Sequence, residues 1–83
     1  MEISDLEMEL LNLLADEWEQ SGPPGYLETN ILAQRLDVSV WKTKTVIKSL
    51  FEKGLVDTDE LDTYAAYLTP EGYQKARAGD LSA

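Results

Sequence analysis

The side chains that most often carry catalysis are missing from this sequence. It contains no histidine and no cysteine. That removes the commonest general base, the thiol nucleophile and the usual zinc ligands, and it excludes a disulfide framework. A nucleophile would have to be a serine or threonine activated by lysine, or a carboxylate pair. Ser4, Ser21 and Ser39 stand where helix caps or loops are expected, and the carboxylates are spread over exposed faces. Gly22-Pro23-Pro24-Gly25 lacks both the spacing and the lysine of a phosphate-binding loop. Asp57-x-Asp59 starts like a calcium loop, but Leu61, Asp62 and Leu68 fall on the next ligand, glycine and bidentate-glutamate positions. A solvated turn is the expectation there. No catalytic residue, cofactor site or metal site is expected, and the chain is read as a non-enzyme.

Binding chemistry is better represented. Between residues 40 and 53, Trp41, Lys44, Thr45 and Lys48 fall on one side of a helix at ~100° per residue, with Lys42 and Ser49 beside them. Val40, Thr43, Val46, Ile47, Leu50 and Phe51 cluster on the opposite side. Lysines so placed can reach phosphates or guanine edges, and a tryptophan near the helix start can stack on a base. The plainer alternatives are a merely solvated lysine face, and a Trp41 that folds against a hairpin or meets a protein. Tyr64, Tyr67 and Tyr73 are expected to pack a hairpin and a last helix onto the core.

Charge sharpens this pattern. Seven basic residues against 16 acidic ones give a net charge of −9. A chain this acidic is not drawn nonspecifically to nucleic acid or to an anionic membrane. The distribution is uneven, however. Residues 1–19 carry seven acids and no base, residues 35–53 carry a net +3, and residues 57–62 a net −4. The lysine-bearing helix is thus a small basic island.

The elements that must position these residues are legible. Ser4 and Glu7 form an S-x-x-E capping box, with Ile3 and Met8 placed as a hydrophobic staple. Ile3, Leu6, Leu10, Leu11, Leu13, Leu14 and Trp18 make the apolar side of a first helix, which the Gly22–Gly25 stretch ends. Tyr26-Leu27-Glu28 reads as a short edge strand. Thr29 is the expected N-cap of a second helix over Asn30–Leu36, and Asp37 stands at a sharp turn. Ser39 caps a third helix, Val40–Lys53, which Gly54 ends. Leu55–Thr58 and Thr63–Leu68 read as strands joined by a turn at 59–62. Thr69-Pro70 opens a fourth helix to about Ala78, with Gly79 as its stop. Eighty-three residues make one domain, expected over 1–79 with a frayed tail at 80–83. No apolar run approaches the ~20 residues of a membrane helix, and the acidic N-terminus is not a signal peptide, so a cytoplasmic protein without a membrane partner is expected.

Three segments carry a resemblance. Leu32-Ala33-Gln34-Arg35-Leu36-Asp37-Val38-Ser39 looks like the L-A-x-x-L-G-V-S turn of bacterial winged-helix regulators. Lys53-Gly54-Leu55-Val56 is similar to their K-G-L-V strand start, and Tyr67-Leu68-Thr69-Pro70-Glu71-Gly72 resembles their exit from the wing. Together these motifs span residues 29–76. The likeness is to a minimal form of the MarR-like winged helix-turn-helix superfamily. It implies an α+β fold: a three-helix core, a C-terminal β-hairpin wing and a short fourth helix. It also implies a transcription-regulator-like function, in which the third helix enters the major groove of double-stranded DNA through Trp41, Lys42, Lys44, Thr45 and Lys48. Ser39 and the first turn of that helix would hold a phosphate. Full MarR-type regulators dimerise through long flanking helices, and one helix on either side of this core does not imply a dimer. Thr43 replaces the valine usual in the family. The acidic stretch 57–62 replaces the basic wing tip, and it keeps open a second reading: a winged-helix protein-interaction module, with a protein partner or a second copy in place of DNA.

Overall fold

The computed structural model describes residues 3–59 and 62–82, with side chains through residue 78. Its elements run α1 (Asp5–Ser21), β1 (Leu27–Glu28), α2 (Thr29–Leu36), α3 (Val40–Glu52), β2 (Val56–Thr58), β3 (Ala65–Leu68) and α4 (Pro70–Ser82). The three strands form one antiparallel sheet in the order β1-β3-β2. This is the winged-helix architecture expected from the sequence.

The start of α1 is fixed locally. The Ser4 hydroxyl accepts from the Glu7 backbone N–H, and the Glu7 carboxylate accepts from the Ser4 backbone N–H. Two of the helix's otherwise unpaired N–H groups are thereby satisfied. Ile3 and Met8 pack against the core beside this cap. Leu10, Leu11 and Leu14 are fully buried, and Ala15 joins them. They meet Leu32, Ile47, Leu50, Val56, Ala66 and Ala76, so α1 spans the core that α2, α3, the sheet and α4 all share.

Thr29 is the first departure from expectation. It begins α2 rather than capping it, and Glu28 occupies the N-cap position without a side-chain bond. The reason lies across the chain. The Thr29 hydroxyl donates to the Thr63 carbonyl at 2.6 Å, and its N–H donates to the Tyr64 carbonyl at 2.9 Å. Buried as it is, this threonine gains more from pinning α2 to the wing than from a local cap. α4 also differs. It runs through Gly79 to Ser82, beyond the end expected at Ala78. A glycine costs a helix interior only about 1 kcal/mol relative to alanine, and no proline follows to break the ladder.

α4 closes the fold against α1. The Trp18 and Tyr73 rings stack 4.9 Å apart, and the Tyr73 hydroxyl donates to Glu19 at 2.9 Å. Arg77 reaches Asp16 and Glu19 at 3.6 and 3.4 Å. The α4 cap is as the sequence implies: the Thr69 hydroxyl accepts from the Gly72 N–H and donates to the Gly54 carbonyl.

Candidate nucleic-acid interface

The turn between α2 and α3 sets the aim of the candidate helix. Asp37 adopts φ 58° and ψ 45°, the left-handed conformation that asparagine, aspartate and glycine tolerate best. The Val38 N–H then bonds the Ala33 carbonyl and the Asp37 N–H bonds the Gln34 carbonyl, the paired pattern of a Schellman motif. Val38 packs against the core, which fixes the angle at which the chain leaves α2. Ser39 follows as N-cap of α3, its hydroxyl accepting from the Lys42 N–H at 3.0 Å.

The inward arc of α3 is narrower than its apolar residues suggest. Thr43, Val46, Ile47 and Leu50 are buried. Val40 and Phe51, expected in the core, are both exposed by more than a third. At ~100° per residue they lie together on the flank beyond Ile47, next to Lys44 rather than beneath α1. Thr43, in place of a valine, is fully buried without a polar penalty, because its hydroxyl donates to the Ser39 carbonyl at 2.9 Å.

The outward face is a coherent surface. Trp41 is 80% exposed, and Lys42, Thr45 and Lys48 are exposed with it. Lys44 is half-buried. Trp41, Lys44, Thr45 and Lys48 line a shallow notch of about 70 Å³. The Thr45 hydroxyl donates to the Trp41 carbonyl, so it is already engaged within the helix. Ser39 and Lys42 sit at the helix start, outside the notch.

A larger groove, about 340 Å³ and open to solvent, runs between α3 and the wing. Lys48, Phe51 and Glu52 line it from the helix, and Thr58, Asp59 and Thr63 from the wing. Phe51 was the missed residue; placing it on the flank required knowing how narrow the buried arc is. Lys53, part of the basic island in sequence, belongs to another site. Its ammonium lies 2.7 Å from the Glu7 carboxylate, on the inward-facing end of the helix.

The wing tip is ordered by one carboxylate. Asp59 accepts from the backbone N–H groups of Tyr64 at 2.6 Å, Ala65 at 3.3 Å and Asp62 at 3.1 Å. Desolvation works against its charge, but these N–H groups outweigh it and hold the carboxyl below its usual range. Glu60 and Leu61, expected in this turn, lie outside the described residues. Among the described residues, no group of three or more acidic side chains is placed to hold a metal ion, and no helix is long and apolar enough to cross a membrane.

No family model and no curated protein matches this sequence. Solved structures do match it. A MarR family transcriptional regulator from Streptomyces coelicolor aligns over 90% of this chain and 50% of its own, at 23% identity and a TM-score of 0.76. The zinc-responsive regulator ZitR from Lactococcus lactis, as a mutant in complex with DNA, aligns over 96% of this chain and 52% of its own, at 20% identity and 0.73. A protein from Ralstonia eutropha, provisionally assigned as DNA-binding, aligns over 93% of this chain and 96% of its own, at 26% identity and 0.74. The chain therefore has a MarR-like winged-helix fold. It spans about half the length of the MarR-family regulators it matches.

Proposed function

We propose that this chain is a DNA-binding winged-helix domain of a transcription regulator, acting in the cytoplasm and reading the major groove with α3. One observation carries the reading. α3 spends a narrow arc on the core and presents a continuous outer face with three lysines and an 80%-exposed tryptophan, in a chain of net charge −9. Lys42, Lys44 and Lys48 would meet phosphates or guanine edges, Thr45 a base edge, and Trp41 a base or sugar. The N–H groups of the first turn, next to Ser39, would hold a phosphate. The fold supports this use, since MarR-family regulators share it and ZitR has been seen with DNA.

The acidic wing favours a second reading, in which the same helix face meets an acidic protein or a second copy. Asp59 lines the groove beside Lys48 of α3, and Asp57 and Asp62 stand elsewhere on the same wing, a negative charge that a phosphate backbone would repel. Titration of ¹⁵N-labelled protein with a random-sequence duplex at low and physiological salt separates the two. Amide shifts at residues 39–49 that weaken with salt are expected. The Lys44→Glu/Lys48→Glu double variant should lose them with its melting temperature nearly unchanged. Undiminished shifts in that variant, or none at low salt, would sink the DNA reading.

A further inference from the structure

Tyr64, expected to pack on the core, and Tyr26, expected in an edge strand, are both largely exposed, at 57% and 50%. Strand register accounts for Tyr26, whereas Tyr64 precedes β3 and lies outside its ladder. Leu27, Ala66, Leu68, Val56 and Thr58 point inward from the sheet and are buried. Their neighbours Tyr26, Glu28, Ala65, Tyr67 and Asp57 therefore lie on the other face, where Tyr26 and Asp57 are exposed, Glu28 and Tyr67 half-buried and Ala65 buried. The Tyr26 and Tyr67 rings stack across β1 and β3 at 6.4 Å. The neighbouring Glu28 carboxylate pushes the Tyr64 hydroxyl's pKa up. Ala65 is the one small side chain among them, and it leaves a trough of about 370 Å³ lined by Tyr26, Tyr64, Tyr67, Asp59 and Asp62.

The chemistry of this trough has a definite polarity. Its walls are aromatic, carboxylates stand at its rim, and none of its lining residues is basic. Ring faces attract cations through the aromatic quadrupole, and carboxylates pair with guanidinium or ammonium groups in the same place. The trough is open along one side, so it would not bury a small molecule as enclosed ligand pockets do. What binds there must gather several modest contacts along an extended chain. We propose that the outer face of the sheet, at Tyr26, Tyr64 and Tyr67, docks an arginine-bearing extended segment of a partner protein. The trough shares no lining residue with the outer-face notch of α3, so it stands whether or not α3 binds DNA.

The test is a titration of the labelled full chain with the peptide acetyl-Arg-Gly-Arg-Gly-Arg-amide, and with the same peptide carrying citrulline, the neutral isostere, at each arginine. Shifts are expected at residues 26–28 and 62–68 with arginine and not with citrulline. Tyr64→Ala and Tyr67→Ala should each weaken binding about fivefold, and Tyr64→Phe much less, because it keeps the ring. Circular dichroism of each variant checks that it folds; should Tyr67→Ala unfold, Tyr26→Ala takes its place. Three results would overturn the proposal. One is equal binding of the citrulline peptide. Another is arginine-peptide shifts that map to α1 and persist in the tyrosine variants, since that is charge attraction alone. The third is a concentration-dependent dimer in sedimentation whose shifts fall on the same tyrosines, which would give the face to a second copy.

Discussion

The Glu7 carboxylate accepts hydrogen bonds from the Ser4 backbone, the Ser49 hydroxyl and the Lys53 ammonium, joining the first turn of α1 to the last turns of α3. It is only 7% exposed. Burial opposes its charge, but the Lys53 ammonium and the hydrogen bonds from Ser4 and Ser49 outweigh that and hold its pKa down to about 2, from 4.5. A folded-state pKa below the unfolded one means stability that is present above pH 4.5 and lost as pH falls toward 2. The contribution is at most about 3 kcal/mol. Glu7→Gln should therefore cost about 1–3 kcal/mol at pH 7. The gap between wild type and variant should close as pH falls from 4.5 toward 2, as read by denaturant melts across that range. A gap that stays constant with pH would refute the assignment. Sequence showed the Ser4–Glu7 box, because both partners lie within one turn. It could not show Lys53, which arrives from 46 residues away.

Helix α3 divides its surface between two tasks. Leu50 is fully buried against α1 and the sheet, while Lys44, Lys48 and Trp41 face away. Leu50→Asp places an unpaired charge in the core and should unfold the domain, seen as loss of the cooperative thermal transition. Trp41→Ala removes a side chain with little packing to lose. Its melting temperature should move by no more than a few degrees, whatever it does to binding. A large drop would mean that Trp41 packs on its neighbours. The phase of this helix was legible from the spacing of Thr43, Val46, Ile47 and Leu50. The positions of Val40 and Phe51 were not, since 3.6-residue periodicity ranks faces but does not say how wide a stripe the neighbouring elements cover.

At the scale of the molecule, net charge and local charge oppose each other. Sixteen acids face seven bases, yet the outer face of α3 carries three lysines and no acid before Glu52. If those lysines are the phosphate contacts, the slope of log K against log salt should be about −3 for one protomer. Fluorescence anisotropy with a labelled duplex measures it. A slope near zero would remove electrostatics from the interface, and a slope twice as steep would mean that two protomers bind together. Affinity at physiological salt should be weak, because three contacts release few counterions and the carboxylate of Asp59 stands in the groove beside the helix.

The sequence by itself determined the order of elements and the turn that aims α3. A capping box, a left-handed Asp37, a proline helix start and apolar spacing are all local, and local signals act within a few residues. It also determined the charge pattern and the absence of histidine and cysteine chemistry. Tertiary structure decided what required distant partners. Thr29 abandoned its cap for the Thr63 carbonyl, and Lys53 left the basic island for Glu7. Phe51 turned to a groove against the wing, and Tyr26, Tyr64 and Tyr67 came together around one trough. Each of these depends on strand register or on how closely two elements approach, and neither quantity is set by residues near one another in the chain.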